Sequence, residues 1–349
     1  MIPSLIPRPS KMAANPKICI VGAGAIGLST GVRIQEIIPR AQVTIIADKF
    51  SPDCVSNVAA GYLRMPEFEG HPDSEAKRKW SEMTWEHIQS YYTTPEGKNF
   101  GMELITGFRL NEKMPENQTE YHAFREMTAK EKLLFPTYDK GFVQTTFLLE
   151  GGKYLPWLTK KFASHGGKLQ VITNKLKSLQ DIKGDYDVIV NCSGGGAKEL
   201  VNDDTVTPIR GQIELVKAPW LKHFIFDTMN NIYMFPCQDH IVVGGTYQIW
   251  PEVTTPNPRK IDRDKILSRA ARVFPAIKDA EVVGEKVGFR PHRPSVRLES
   301  DVLHKGSKQI PVIHNYGHGA YGIILHWGCA VDAAKLVADS LGLPFTAKL

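Results

Sequence analysis

The feature that most constrains this chain is Gly22-Ala23-Gly24-Ala25-Ile26-Gly27, which stands between a β-branched apolar run at 18–21 and an apolar stretch of helical character reaching about Ile38. A GxGxxG in that setting calls for a strand, a tight turn and a helix. Gly22 permits the turn, Gly24 lets the backbone approach a pyrophosphate, and Gly27 lets the helix pack on the strand. The pyrophosphate then rests on the free N–H groups of the helix. A second strand is expected over 43–47. Asp48 closes it at about the 20-residue distance where an acidic side chain accepts ribose hydroxyls, and an acid there disfavours a 2′-phosphate. The fingerprint therefore predicts a nucleotide-binding βαβ unit and leaves FAD and NAD both open.

The chain has 349 residues, 42% of them apolar and 23% charged, so it can bury a large core and reads as one or two globular domains. Its net charge of +6 arises from 43 basic and 37 acidic residues spread along the chain, without the block of like charge that marks a nucleic-acid arm. Residues 1–15 carry three prolines and no apolar signal core, and no apolar run approaches the ~18 residues of a spanning helix. A soluble protein without a membrane segment is expected, made in a reducing compartment. Residues 1–16 read as a loose extension with a second start at Met12. The sequon Asn117-Gln118-Thr119 is read as chance. Cys19, Cys54, Cys192, Cys237 and Cys329 lie far apart with no CxxC pair, which argues against a zinc site or a disulfide framework. Helical patterns occupy 73–92, 154–165 and 329–341; strands are expected at 186–191, 241–244 and 312–313, with a glycine-rich loop at 316–322. The final Ala347-Lys348-Leu349 is a variant of the peroxisomal address.

Several motifs in order give the chain a wider likeness. They are VGAGAIGLST at 21–30, VAAG at 58–61, Tyr154-Leu155-Pro156-Trp157-Leu158, Val190-Asn191-Cys192-Ser193-Gly194, Arg210-Gly211-Gln212, GFRPHRPSVRL at 288–298 and HNYGHGAYGIILHWG at 314–328. With these the chain resembles the D-amino-acid oxidase and D-aspartate oxidase family from Lys17 onward. The resemblance implies an α/β fold: a Rossmann-like FAD-binding domain plus a substrate domain built on a largely antiparallel mixed sheet. It places 17–65, 140–200 and 290–349 in the first, 66–139 and 201–289 in the second. It implies non-covalent FAD held by Gly22, Ala23, Gly24, Ala25, Ile26, Gly27, Asp48, Lys49, Ser56, Ala60, Gly61, Leu176, Ser193, Gly194, Arg290, Gly319, Ala320, Tyr321, Gly322, Ile323 and Ile324. At Ile324 mammalian members carry a threonine, so a side-chain hydrogen bond is lost there and the backbone must serve.

The implied activity is oxidative deamination of free D-amino acids by hydride transfer to flavin, with dioxygen as acceptor and hydrogen peroxide, ammonia and a 2-oxo acid as products. Arg290 would clasp the α-carboxylate bidentately, Tyr233 would make a second contact to it, and the Ala320 carbonyl would receive the amine. No general base is nominated, and His292, His314, His318 and His326 are read as structural, as are Arg293 and Arg297. A peroxide producer ending in Ala-Lys-Leu is expected in the peroxisome matrix, brought there by an import receptor. A homodimer is the assembly considered, and no nucleic-acid partner is expected.

Substrate choice divides the family. The two arginines that hold the second carboxylate in mammalian D-aspartate oxidases fall here on Phe226 and Tyr247, the neutral-substrate pattern, and the expectation is a D-amino-acid oxidase of neutral or broad substrates. The short connection from His223 to Tyr233 resembles the aspartate branch instead. Arg64, paired with solvent, Glu67 or Glu69 in one reading, would in the other supply the missing charge. An NAD-dependent dehydrogenase and a non-catalytic flavin-binding protein are the alternatives from other classes.

Overall fold

The computed structural model describes residues 15–64, 71–111, 122–227, 229–252 and 254–344. Met12 and most of the N-terminal extension lie outside them, as do Glu67, Glu69, the Asn117 sequon and Ala347-Lys348-Leu349. The fingerprint folds as β1 (Lys17–Val21), α1 (Ala25–Ile37) and β2 (Gln42–Ala47). The remaining strands are β3 (Met102–Leu110), β4 (Ala123–Glu126), β5 (Gly141–Leu149), β6 (Lys168–Val171), β7 (Val188–Asn191), β8 (Thr207–Lys217), β9 (Phe224–Asp227), β10 (Ile232–Pro236), β11 (Ile241–Gly244), β12 (Gln248–Ile249), β13 (Glu281–Lys305) and β14 (Lys308–His318). Helices α2 (Ser74–Tyr91), α3 (Ala129–Lys132), α4 (Gly151–Ser164), α5 (Ala197–Leu200), α6 (Lys260–Val273) and α7 (Gly322–Ser340) complete the chain.

Among the described residues all fourteen strands join in one sheet, ordered β4-β5-β3-β9-β10-β11-β8-β13-β14-β7-β1-β2-β6, with β12 on β8. The half from β14 to β6 is parallel. Its central strands β1 and β7 are buried on both faces, which is why they read as unbroken apolar runs rather than alternating ones. Helices α1, α4 and α7 cover this half, and a core of Ile18, Ile20, Leu28, Val188, Val190 and Val337 lies beneath them. The other half is mainly antiparallel and packs on α6 through Met234, Val243, Ile266 and Ala270.

One strand joins the halves. β13 pairs with β8 from Glu281 to His292 and with β14 at His292 and again from Arg297 to Lys305, the β13–β14 register shifting between those two points. Pro294 sits in that shift, where a residue without an N–H leaves no ladder bond unmade. The sequence pattern gave no strand across this proline-bearing stretch. The 316–322 loop also differs from expectation: β14 continues to His318, a single 3₁₀ turn covers Gly319–Tyr321, and α7 begins at Gly322 rather than Cys329. The glycines there break the sequence pattern without breaking the helix, because Gly328 is the point where α2 crosses, and a Cβ on it would stand 2.4 Å from the Trp80 backbone. The sequence segments interleave: β5 completes the antiparallel half beside β3 and β4, and α2 packs on α7.

Candidate active site

A cavity of about 610 Å³ opens at the carboxyl ends of β1, β2 and β7 and runs to the wall formed by β10 and β13. This is the crevice where open α/β sheets place their ligands. At its first end Gly22 adopts φ +109°, and a Cβ there would lie 2.4 Å from the Cys192 carbonyl oxygen. Gly27 stands directly behind the turn rather than in the cavity, its missing Cβ only 1.9 Å from the Gly22 oxygen. Gly24 caps α1 without a side-chain bond, and the first turn holds no acidic residue. The N–H groups and positive dipole end of α1 therefore face the cavity without an intrahelical anion to compete. Ser56 accepts one of them, Ala25 N to Ser56 Oγ at 3.1 Å. Asp48 and Lys49 border the same end.

β13 lies four strand spacings from β2, roughly 19 Å at about 4.8 Å per spacing. Here Arg290 and Tyr233 meet. Tyr233 on β10 is opposite Gly244 on β11 and Phe226 on β9. Gly244 makes room for the ring, since a Cβ there would reach within 1.8 Å of Tyr233 Cζ. Gly211 on β8 does the same for Arg290, whose Nη1 would be 2.3 Å from an added Cβ. The guanidinium donates to the Thr246 carbonyl at 3.3 Å and lies 5.8 Å from the Tyr247 ring centroid. Burial holds the Tyr233 phenol above its ordinary pKa against the opposing pull of Arg290 and Arg269, so it stays a donor.

Arg64 also lines the cavity, 5.8 Å from the Phe226 ring centroid. Ala60, Gly61, Ser193, Gly194 and the run Gly319, Ala320, Tyr321, Gly322, Ile323, Ile324 line it between these ends. Leu176 does not; it packs with Cys19, Val21 and Ile46 on another face. His318 does line the cavity: burial pushes its pKa down to about 3, leaving a neutral ring whose Nε2 has no partner. His326 is enclosed between Tyr154 Oη and the Ile323 carbonyl, both at 2.7 Å, and Arg293 and Arg297 pair with Asp203 and Glu299. The cavity also holds residues that the pattern did not single out, chiefly Tyr62, Phe235, Asn315 and the window glycine Gly211. Asn315 and Gly211 lie within the motifs HNYGHGAYGIILHWG at 314–328 and Arg210-Gly211-Gln212, Tyr62 follows VAAG, and Phe235 stands two residues after Tyr233, so each had a sequence signal only as a neighbour.

Residues 17–336 match the family described as FAD dependent oxidoreductase. The chain belongs to that family. It is 38% identical to human D-aspartate oxidase over 330 residues, covering 93% of this chain and 95% of the relative. It is 32% identical to the D-amino acid oxidase of Dugesia ryukyuensis over 93% of this chain and 98% of that one. The crystal structure of an iminodiacetate oxidase from Chelativorans sp. BNC1 shares the fold, with a TM-score of 0.74 at 19% identity over 95% of this chain and 97% of that one.

The cofactor that the fingerprint left open is FAD, and the residues present fit it. The bare glycine turn and the open end of α1 suit a pyrophosphate, and Asp48 suits a ribose. α7 begins at Gly322, Ile323 and Ile324 of its first turn line the cavity, and first-turn amides lack intrahelical acceptors. Donors of this kind would suit acceptor atoms of a flavin.

Proposed function

We propose that this FAD-dependent oxidoreductase deaminates free D-amino acids, converting amino acid, dioxygen and water to 2-oxo acid, ammonia and hydrogen peroxide. The observation that carries the reading is the pairing of Arg290 with the protonated Tyr233 hydroxyl at the flavin end of a dinucleotide cavity. A planar guanidinium and a phenol side by side suit a carboxylate, the guanidinium bidentately. D stereochemistry is supported by the names of the relatives. Bound FAD supplies a hydride acceptor and passes the electrons on to dioxygen.

The chain's own part is positioning. Arg290 and Tyr233 hold the α-carboxylate, the Ala320 carbonyl accepts from the amine, and Cα–H is thereby aimed at the cofactor. Among the described residues lining the cavity the carboxylates are Asp48 and Asp53, both at the nucleotide end. His318 is neutral. No side-chain base is therefore assigned at the reacting end, which suits hydride transfer driven by orientation and desolvation.

Anaerobic mixing of the FAD-loaded protein with D-alanine, D-asparagine and D-aspartate, each beside its L enantiomer, tests the reading. Loss of flavin absorbance with D enantiomers and peroxide release in air are expected. An unchanged flavin spectrum with every D-amino acid would leave a non-catalytic flavoprotein and overturn it. Peroxisomal import through Ala347-Lys348-Leu349 belongs to the same proposal, supported by the tripeptide and the peroxide product. A fluorescent protein ending in these three residues that stays cytosolic would refute that part.

A further inference from the structure

We propose that Arg64 is the specificity-determining residue for a second carboxylate, so that the preferred substrates are acidic D-amino acids. This rests on the reading above and names the substrate class of that same site. Opposite one another on β9 and β10, Phe226 and Tyr233 present their rings to the same face. Phe235 bridges them, 6.0 Å from Phe226 and 5.1 Å from Tyr233 between ring centroids. A guanidinium flanks each end of this wall, Arg64 over Phe226 and Arg290 beside Tyr233. Both line one cavity.

The two arginines differ in what they have to do. Arg290 is already committed to a backbone carbonyl and to the α-carboxylate. Arg64, half-buried, has no hydrogen bond or ion pair among the described residues, only the face of Phe226. Among the described residues the carboxylates of the cavity are both at the nucleotide end, and none at this end neutralises it. A half-buried guanidinium without a counter-charge is costly unless a ligand brings one. A side-chain carboxylate does so, and a neutral side chain leaves the cation unmatched. Phe226 and Tyr247, whose aromatic character by itself suggests neutral substrates, act here as the rings on which the two cations rest. The charge is supplied from the segment after β2 rather than from β9 or the connection between β11 and β12.

D-aspartate and D-asparagine are nearly the same shape and differ in charge, so they isolate this contact. The FAD-loaded protein is expected to show a higher kcat/KM for D-aspartate, and Arg64→Met to lower the aspartate-to-asparagine ratio about 10- to 100-fold, the value of a charge-assisted hydrogen bond. Arg64→Lys should restore part of the ratio. A binding readout independent of turnover comes from succinate and butyrate, whose effects on the flavin spectrum should differ in affinity for the wild type and converge for Arg64→Met. A wild-type ratio at or below one, or a ratio that Arg64→Met leaves unmoved, overturns the inference while turnover of D-asparagine leaves the oxidase reading standing. Failure of both amino acids to reduce the flavin overturns both.

Discussion

In a Gly211→Ala variant the new methyl would stand 2.3, 2.5 and 2.6 Å from Nη1, Nη2 and Cζ of Arg290. Ordinary contact begins near 3.4 Å, so the guanidinium must retreat by about 1 Å, and it is the far end of a flexible side chain that gives way, not the backbone. Gly211 itself is a β8 residue without a positive φ, and alanine in a strand interior is favoured over glycine by roughly 0.5–1 kcal/mol. The fold should therefore hold while the carboxylate anchor is displaced. A misplacement of about 1 Å at a positioning group costs about 100-fold in rate. The expected result is a kcat/KM lower by about two orders of magnitude, with flavin absorbance and thermal midpoint close to wild type. In an Arg290→Ala background the methyl meets no guanidinium, so Gly211→Ala should add little there, a coupling that a double-mutant cycle measures. A kcat/KM within threefold of wild type for Gly211→Ala, beside a large loss for Arg290→Ala, would refute the argument that this glycine exists to seat the guanidinium.

Gly22→Ala combines φ +109° with a Cβ 2.4 Å from a backbone oxygen, so nothing flexible can yield. The purified variant should retain little FAD, read from its visible absorbance, and normal retention would contradict the assigned turn. Arg210 is fully buried and bonded to Asp262, Gln248, Gln212 and the carbonyls of Thr255 and Asn257. Arg210→Met leaves the buried Asp262 with only the longer contact to Arg259 at 3.7 Å and the Gln248 amide at 3.0 Å, and urea unfolding should show a loss of about 3 kcal/mol, the low end for a broken buried pair; a smaller loss than about 1 kcal/mol would disprove it. Burial raises the Glu214 carboxyl to about 7, with Glu285 opposite adding to the effect. The folded state then binds the proton more tightly than the unfolded chain, so this group's contribution falls as pH rises from about 4.5 to 7 and the penalty is complete above. Glu214→Gln should thus be more stable than wild type at pH 8 by on the order of 1–3 kcal/mol and similar near pH 4.5; an equal difference at both pH values would count against it.

Much of the nucleotide end was legible because its requirements are local. A turn at φ +109°, a helix packed within contact of that turn and an acid closing the next strand all fall within 32 residues of chain, and each leaves a fixed residue type at a fixed spacing. Arg290 and Tyr233 were legible only through the likeness of their motifs, since an arginine or a strand tyrosine is unremarkable by spacing. The start of α7 and the length of β13 were not legible, because glycines and prolines that locally oppose helix or strand are accommodated by α2 crossing at Gly328 and by the register shift at Pro294.

What the sequence determined by itself is the βαβ opening, the parallel character of the buried apolar strands and the residue types available for an anion. The tertiary structure decided which of them meet. Arg290 and Gly211 are 79 positions apart, and Arg64 and Phe226 are 162 apart; the pairing of β8 with β13 joins the first two, and the bridge of Tyr62 to β5, with β3 between β5 and β9, brings the second two together. Local preference acts over a few residues, while a binding surface depends on which strands become neighbours, and that is set by burial of the whole sheet.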